Sequence, residues 1–532
     1  MHRCRSILLT LFLTAATFGS VHVAHAETYQ VGPERAHKSL NDVQDLLGPG
    51  DIVEVDGDAT YPGDVWFEND GQAGSPVIIR GVPINGRLPV LSGGDEWTVL
   101  FQGNHYLFDG FEVTGGPAYC VVHKADDITI RNAIVHDCPN HGIMGTDDDS
   151  GSLTIEHSEV FRCGSGSDKH QLYIATDESV HPGSVFRLQF SYVHDGNGGN
   201  NVKTRAERNE IYFNWIEGAA YHGLDMIGPD GGDPSLARED SDVVGNVIVT
   251  TSEWQVARFG GDGSGATAGR YRFANNTFVM GPEGNVALRM QDAVESVELY
   301  NNVFFQSAGG EVEVIRHSDP AGPDPVIRGS NNWLQDGWIE MPAGCSATVT
   351  GSSPGFADLS GFDLRPGSGA SLIDAGVSPS ASNDGNALPN PFLGPMFVPP
   401  YRAWLPAGGE VVRPASGAID IGAYEEGSPD VSSGGSGGLG GAGGGSSAGS
   451  GGSSAGSGGT TDGPTTGGSA GQGAGAESQA TGDYWSDDSE GCACRTRGHR
   501  SSNAAAGLIG VLMLFGLAGM RRRRGRAEQR PA

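Results

Sequence analysis

The chain of 532 residues carries 33 Lys+Arg against 64 Asp+Glu, a formal net charge of −31, with 86 glycines and 37% hydrophobic residues. That charge excludes a nucleic-acid or anionic-membrane binder, because each phosphate contact needs a Lys or Arg, and the hydrophobic content is too low for a polytopic membrane protein. The length admits two to four ordinary domains or one elongated repeat structure.

The chain opens with Arg3 and Arg5, an apolar run over 7–18, and Ala24-His25-Ala26. A positive region, a hydrophobic stretch and a small-x-small cleavage site predict a signal peptide over 1–26 and a mature start near Glu27. Residues 27–75 are expected to form an N-terminal cap and the first strands. Within them Ser39, then Leu40, Val43, Leu46 and Leu47, then Gly48-Pro49, predict a short capped amphipathic helix.

From 76 to 427 the sequence shows short alternating apolar runs punctuated by Gly, Asn and Asp. Aligning ITIRNAIVHDC (128–138), LTIEHSEVFRC (153–163) and FRLQFSYVHDG (186–196) superposes Asn132, His157 and Phe190. The same register extends back to Gly110 and on to Asn214, Asn246, Asn276, Asn302 and Asn332, at intervals between 22 and 33 residues. Constant strands with variable loops at that period predict stacked β-helix coils, whereas a propeller would repeat at about 40 to 45 residues. Asparagines recurring at one offset fit such a stack, where side-chain amides hydrogen-bond from coil to coil. The N-terminal helix would then cover the open first coil. Cys138 and Cys163 share one offset on adjacent coils and are expected about 4.8 Å apart. That suits a disulfide, and two stacked free thiols are the other reading.

These repeats resemble the right-handed parallel β-helix family, whose members include pectate lyases, alginate lyases and polygalacturonases. The resemblance implies an all-β, right-handed single-stranded parallel β-helix. SLIDAGV (371–377) and AIDIGAYE (418–425) resemble the terminal segment of exported members, a closing segment of the solenoid. The family implies no single reaction, because β-helices host lyases, hydrolases, epimerases and non-catalytic adhesins. The WiDH and RxPxxR signatures of the main pectate lyases are absent, as is the NTD, DD, GHG and RxK set of polygalacturonases. HDGNGGNNVKTRAERNEIYFNWIEG (194–218) is similar to a stretch of exported β-helix proteins and implies a shared site there.

A second column of strands aligns NHGIMG (140–145), KHQLYIA (169–175), NNVKTR (200–205), YHGLDMI (221–227), WQVARFG (254–260), NVALRMQ (285–291) and VEVIRHS (312–318). Alternation turns Leu172, Ile174, Val202, Thr204, Leu224, Met226, Ala257, Phe259, Leu288 and Met290 inward. Tyr173, Lys203, Asp225, Arg258, Arg289 and Arg316 then point outward in one column, with Arg205 sharing their parity. His141, His170, Asn200 and His222 share an offset just before the strand. A cationic stripe on so acidic a chain suits an acidic polysaccharide.

β-Elimination of a uronate chain requires neutralisation of the carboxylate, abstraction of the adjacent ring proton and protonation of the leaving oxygen. Lys203 is the expected base. Arg205 and Arg258 are expected to hold carboxylate, with Asp225, Arg289 and Arg316 in the substrate-binding column, and Tyr173, His170 or His222 to supply the proton. Calcium is the alternative neutraliser. Asp147, Asp148 and Asp149 form one acidic turn, and Asp225, Asp230, Asp233, Glu239, Asp240 and Asp242 surround a glycine-rich loop, though solvated loop acidity accounts better for both. No histidine spacing suggests zinc. The alternative to a lyase is a non-catalytic glycan-binding or adhesion protein using the same face.

Residues 428–490 form a linker. Over 432–459, 24 of 28 residues are Gly or Ser, a composition that buries no core and behaves as a flexible coil. The last segment, 491–532, begins Gly491-Cys492-Ala493-Cys494-Arg495, continues through 17 uncharged residues at 504–520, and ends in Arg521, Arg522, Arg523, Arg524 and Arg526. An apolar run followed by a basic cluster predicts a short transmembrane segment, either a permanent anchor or a removable signal. The order of parts resembles the myxobacterial C-terminal sorting tail (MYXO-CTERM). That resemblance implies a sorting protease acting near Cys492 or Cys494, lipid modification there, and a cell-surface or outer-membrane location. The two terminal segments hold eleven arginines and one glutamate, so residues 27–490 are more acidic than the whole, at −41. Such a surface repels an anionic glycan except where cations cluster.

Overall fold

A computed structural model describes residues 26–228, 240–262, 267–318, 324–339, 341–378, 394–414 and 417–429. The expected signal peptide, the Gly/Ser linker beyond 429 and the tail with Cys492 and Cys494 lie outside the described residues.

Three parallel sheets of 13, 12 and 10 strands wind into a β-helix. Each coil contributes one strand to each sheet in turn, as in Ile128–Arg131, Ile134–His136 and Ile143–Gly145. We call the sheets A (13 strands), B (12) and C (10). Coils stack through in-register pairs such as Ile130 with Ile155 and Val135 with Val160. The inward residues, Leu172, Val202 and Leu224 among them, form one continuous buried core.

The corner between sheets A and B is made by two residues, and it corrects the repeat alignment. Its first residue has a left-handed backbone in successive coils: Asn132, His157, Phe190, Phe213, Asn275, Asn301 and Asn331 have φ between 50° and 56°, and Gly110 and Gly245 occupy the same place. Gln189 pairs with Tyr212, so Phe190 stands opposite Phe213, not Asn214. The expected column therefore slips by one residue after Phe190. The reason is that the left-handed position and the one after it both favour Asn, giving the doublets Asn275-Asn276, Asn301-Asn302 and Asn331-Asn332. The ladder runs along the second position. Asn214 Nδ2 donates to Asn246 Oδ1 at 3.0 Å, and the chain continues through Asn276, Asn302 and Asn332 at 3.0, 2.9 and 3.0 Å. Upstream the same position is Ser191 and Ser158. Their hydroxyl oxygens accept the backbone N–H of Ser158 and of Ala133, while Ser191 N–H donates to Asn214 Oδ1.

The expected N-terminal helix is instead two 3-10 turns, Leu40–Asp42 and Gln44–Leu46. Asp42 accepts the backbone N–H groups of Lys38 and Ser39, which tightens the chain into a turn. Leu40, Val43 and Leu47 still reach the core, while Leu46 is exposed. The expected disulfide is also corrected. Cys138 bonds Cys120, with Cα atoms 5.7 Å apart, and Cys163 is a buried free thiol that burial pushes up to about 12. Cys120 lies on a strand of sheet C, outside the repeat offset that singled out the other two.

The closing segment runs back along sheet B as a strap. Leu364, Leu372, Val398, Ile421 and Tyr424 pack on the outward Trp215, Val247, Val303 and Trp333. Farther back the Trp404 indole donates to His157 O at 2.7 Å, Glu410 pairs with His157 at 2.7 Å, and Ala407 N–H donates to Asn132 Oδ1 at 2.7 Å.

Among the described residues no helix is long and apolar enough to cross a membrane. The 17-residue run at 504–520 lies outside them and is at the lower limit of about 17 to 25 residues for a span. The expected transmembrane segment is therefore withdrawn, and with it membrane anchoring as a partner or a location.

Candidate functional site on sheet C

The outward face of sheet C changes character along the solenoid. Its first four positions are Trp66, Leu100, Val122 and Met144, in register coil on coil. Tyr173 follows Met144, then Lys203, Asp225, Arg258, Arg289 and Arg316, each paired with the next. Adjacent coils are about 4.8 Å apart, so the column offers one polar group per coil in a straight line.

Asp225 is its centre and is fully buried. Arg258 grips it with two hydrogen bonds, Nε to Oδ1 at 2.6 Å and Nη2 to Oδ2 at 2.8 Å, and Asn200 Nδ2 donates to Oδ2 at 2.8 Å. Burial alone would raise this carboxyl. The Arg258 charge and hydrogen bonds, with Lys203 and His222 nearby, outweigh burial and hold it well below the usual carboxylate range. Asp225 thus fixes Arg258, whose side chain keeps a solvent-facing edge. Lys203 is 8% exposed, its Nζ lying 5.2 Å from the centre of the Tyr173 ring.

The histidines ahead of the strands form a second ladder. His141 Nδ1 accepts the backbone N–H of His170 at 2.9 Å, His170 Nδ1 accepts that of Asn200 at 2.9 Å, and Asn200 Oδ1 accepts that of His222 at 3.0 Å. The rings of His141 and His170 stack with centroids 5.5 Å apart, and Tyr173 meets them edge-on at 5.4 and 5.6 Å. Burial, reinforced by nearby lysine and arginine charges, pushes His141 and His222 down to about 3 and His170 well below its ordinary value. All three rings are neutral at pH 7.

The other expected residues divide. Arg205 turns away from the column into a buried ion pair with Asp262 at 3.1 Å, and its guanidinium also donates to Gly228 O. Arg289 remains beside Arg258 and donates to Ser318 Oγ at 3.3 Å, whereas Arg316 is exposed and held by Glu313 at 2.8 Å. Sequence reasoning missed Asp262, which carries no local signal. It also missed Tyr221 and Trp254, half-buried rings 5.0 Å apart beside His222. Their signal lay in the alignment, because both head the quoted strand segments one coil apart.

No family model matches the chain and no curated protein is similar to it. The expected sorting tail, with its protease, consequently gains no support and is withdrawn. Similar solved structures include pectate lyase Pel9A, 15% identical with a TM-score of 0.46, covering 76% of this chain and 97% of that one. Another is the alginate lyase from Paenibacillus sp. str. FPU-7, 14% identical with a TM-score of 0.38, covering 56% and 99%. A GH136 lacto-N-biosidase from Eubacterium ramulus is 12% identical with a TM-score of 0.35, covering 57% and 68%. At these TM-scores the likeness carries no argument, and the β-helix rests on the strand pairing itself.

Several of the acidic residues offered for calcium are engaged by basic side chains. Asp148 pairs with Lys124 and Asp149 with His181; Asp240 and Asp242 are taken by Arg270 and Arg272. Asp230, Asp233 and Glu239 lie outside the described residues. Among the described residues no group of three His, Cys, Asp or Glu side chains converges on one point, so no step is routed through a metal.

Proposed function

We propose that the sheet C face binds an acidic polysaccharide along the solenoid axis and cleaves it by β-elimination. The observation that carries this reading is the in-register run from Tyr173 through Lys203 to Arg316, in which Asp225 is the one acid. A polyanion laid along the axis meets a basic side chain at four of these six coils, Lys203, Arg258, Arg289 and Arg316, at a spacing near the length of one sugar. Lys203, with its amine neutral, takes the ring proton next to the carboxylate, the bond to the leaving oxygen breaks as the ring double bond forms, and the Tyr173 phenol protonates that oxygen. No oxidant or reductant is involved. Arg258, oriented by Asp225, and Arg289 hold the carboxylates, strengthening as charge builds in the enolate-like transition state. Tyr221 and Trp254 offer sugar a stacking surface. The buried His170 and His222 rings are neutral and poor proton donors, which favours Tyr173 as the acid. The disulfide suits an exported protein.

Incubating the exported chain with uronate polysaccharides and following the ultraviolet absorbance of unsaturated product tests the reading. Lys203→Ala should lower the rate roughly 10²- to 10⁴-fold. No product from any uronate, or an undiminished rate in the variant, overturns it. A second reading, glycan binding without turnover, is favoured by the closed Asn200–Asp225–Arg258 network, which orders the face without leaving a second acid on it. Tight binding with no product would establish it.

A further inference from the structure

The histidine ladder has a property that follows from its hydrogen bonds. A backbone N–H can only donate, so the Nδ1 atoms of His141 and His170, each 2.9 Å from one, must present lone pairs. The ring proton therefore sits on Nε2 in both residues. Neither Nε2 has a partner among the described residues, and neither is sealed from solvent, although the two side chains are almost wholly buried. Asn200, one coil on in the same column, displays the complete device. Its Oδ1 accepts the next backbone N–H, and its Nδ2 donates to a carboxylate, that of Asp225. In His141 and His170 the inward half is filled in the same way and the outward half is not.

We propose that His141 and His170 form a row of neutral, fixed-tautomer N–H donors that hold acceptor oxygens of a bound uronate chain beside Tyr173 and Lys203. They are positioning residues, not acids. This rests on the reading of sheet C as a glycan face, and it extends the binding surface two coils beyond Lys203, to where the column itself offers only Met144 and Tyr173. The depressed proton affinity of both rings agrees with this role, since a ring that charged would lose its Nδ1 acceptor. A row of neutral donors also binds carboxylate without adding the positive charge that would repel Lys203.

The test uses the exported chain with ¹⁵N-labelled histidine. Long-range ¹H–¹⁵N spectra at pH 7 should show His141 and His170 as the Nε2–H tautomer before any ligand is added; an Nδ1–H or doubly protonated ring overturns the proposal whatever the protein binds. Adding an oligouronate should shift both Nε2–H signals. His141→Phe, which keeps the stacking, should raise KM roughly 10-fold with kcat nearly unchanged. His141→Asn, which restores an acceptor and a donor, should recover most of the loss. Binding that persists undiminished in His141→Phe and leaves both signals unmoved rejects the donor row alone. If oligouronate perturbs no signal and yields no product, the glycan reading falls and the donor row with it.

Discussion

Sheets A and C both carry charged residues on their outward faces, and the two are organised in opposite ways. On sheet A both signs are interspersed and paired with one another. Arg187 pairs with Glu210, Arg208 with Glu210 and Asp242, Arg270 with Asp240, and Arg272 with Asp242 through bonds of 2.6 and 2.7 Å. Arg272 and Asp242 are each about 1% exposed. On sheet C one carboxylate stands among four basic side chains, Lys203, Arg258, Arg289 and Arg316. A column that neutralises itself is a structural device; a column with surplus charge of one sign calls for a counter-charge from outside, on a chain whose overall field would hold such an anion off.

Four perturbations break or sharpen that contrast. The largest effect on stability is expected for Asp242→Ala, which strips a buried partner from Arg208 and Arg272 and should cost about 3–5 kcal/mol, read by denaturant unfolding. The folded fraction should still cleave at the wild-type rate, since sheet A lies outside the site. The second perturbation is pH. His141, His170 and His222 have folded values below the ordinary 6.5, so their neutral forms contribute fully above about pH 6.5, and that contribution drains away as pH falls toward the folded values. By pH 5 the loss should be roughly 2 kcal/mol per ring. Unfolding midpoints at pH 7.5 and 5 check this, with Lys169, Lys203, Asp168, Asp225, Arg258 and Arg289 as the charged groups acting on the rings. Third, Asn246→Ala leaves buried ladder partners unmet on both sides and should destabilise by about 1–3 kcal/mol with no change in activity. The smallest effect belongs to Arg316→Ala. Its exposed pair with Glu313 contributes at most about 1 kcal/mol, so stability should hold while affinity for long oligouronates falls modestly and salt dependence weakens. A large stability loss there would erase the distinction between the two faces.

Much of this architecture is written in local chemistry. The outward column of sheet C is legible because strand alternation is a strict period of two and its inward members are uniformly apolar. The corner ladder is legible in kind but not in register, because two adjacent positions favour Asn for different reasons, one for a left-handed backbone and one for a stacked amide. What the sequence conceals is set by distance. Cys120 meets Cys138 across a corner, and Arg205 finds Asp262 57 residues away, neither with any local mark. Burial is equally hidden: the same letters describe a solvated lysine and one that is 8% exposed.

The strap has a consequence for how the molecule comes apart. A bare solenoid holds each coil only by its two neighbours, so it can fray from an end one repeat at a time. Here residues near 405 are tied to coils around 132 and 157, and Asn301 to Val377, so the closing segment clamps coils distant in sequence. Unzipping from the C-terminal end must first release contacts made some 275 positions earlier. The strap thereby converts a chain of near-independent steps into a more cooperative transition, and it delays completion of the native state until the whole β-helix exists to receive it.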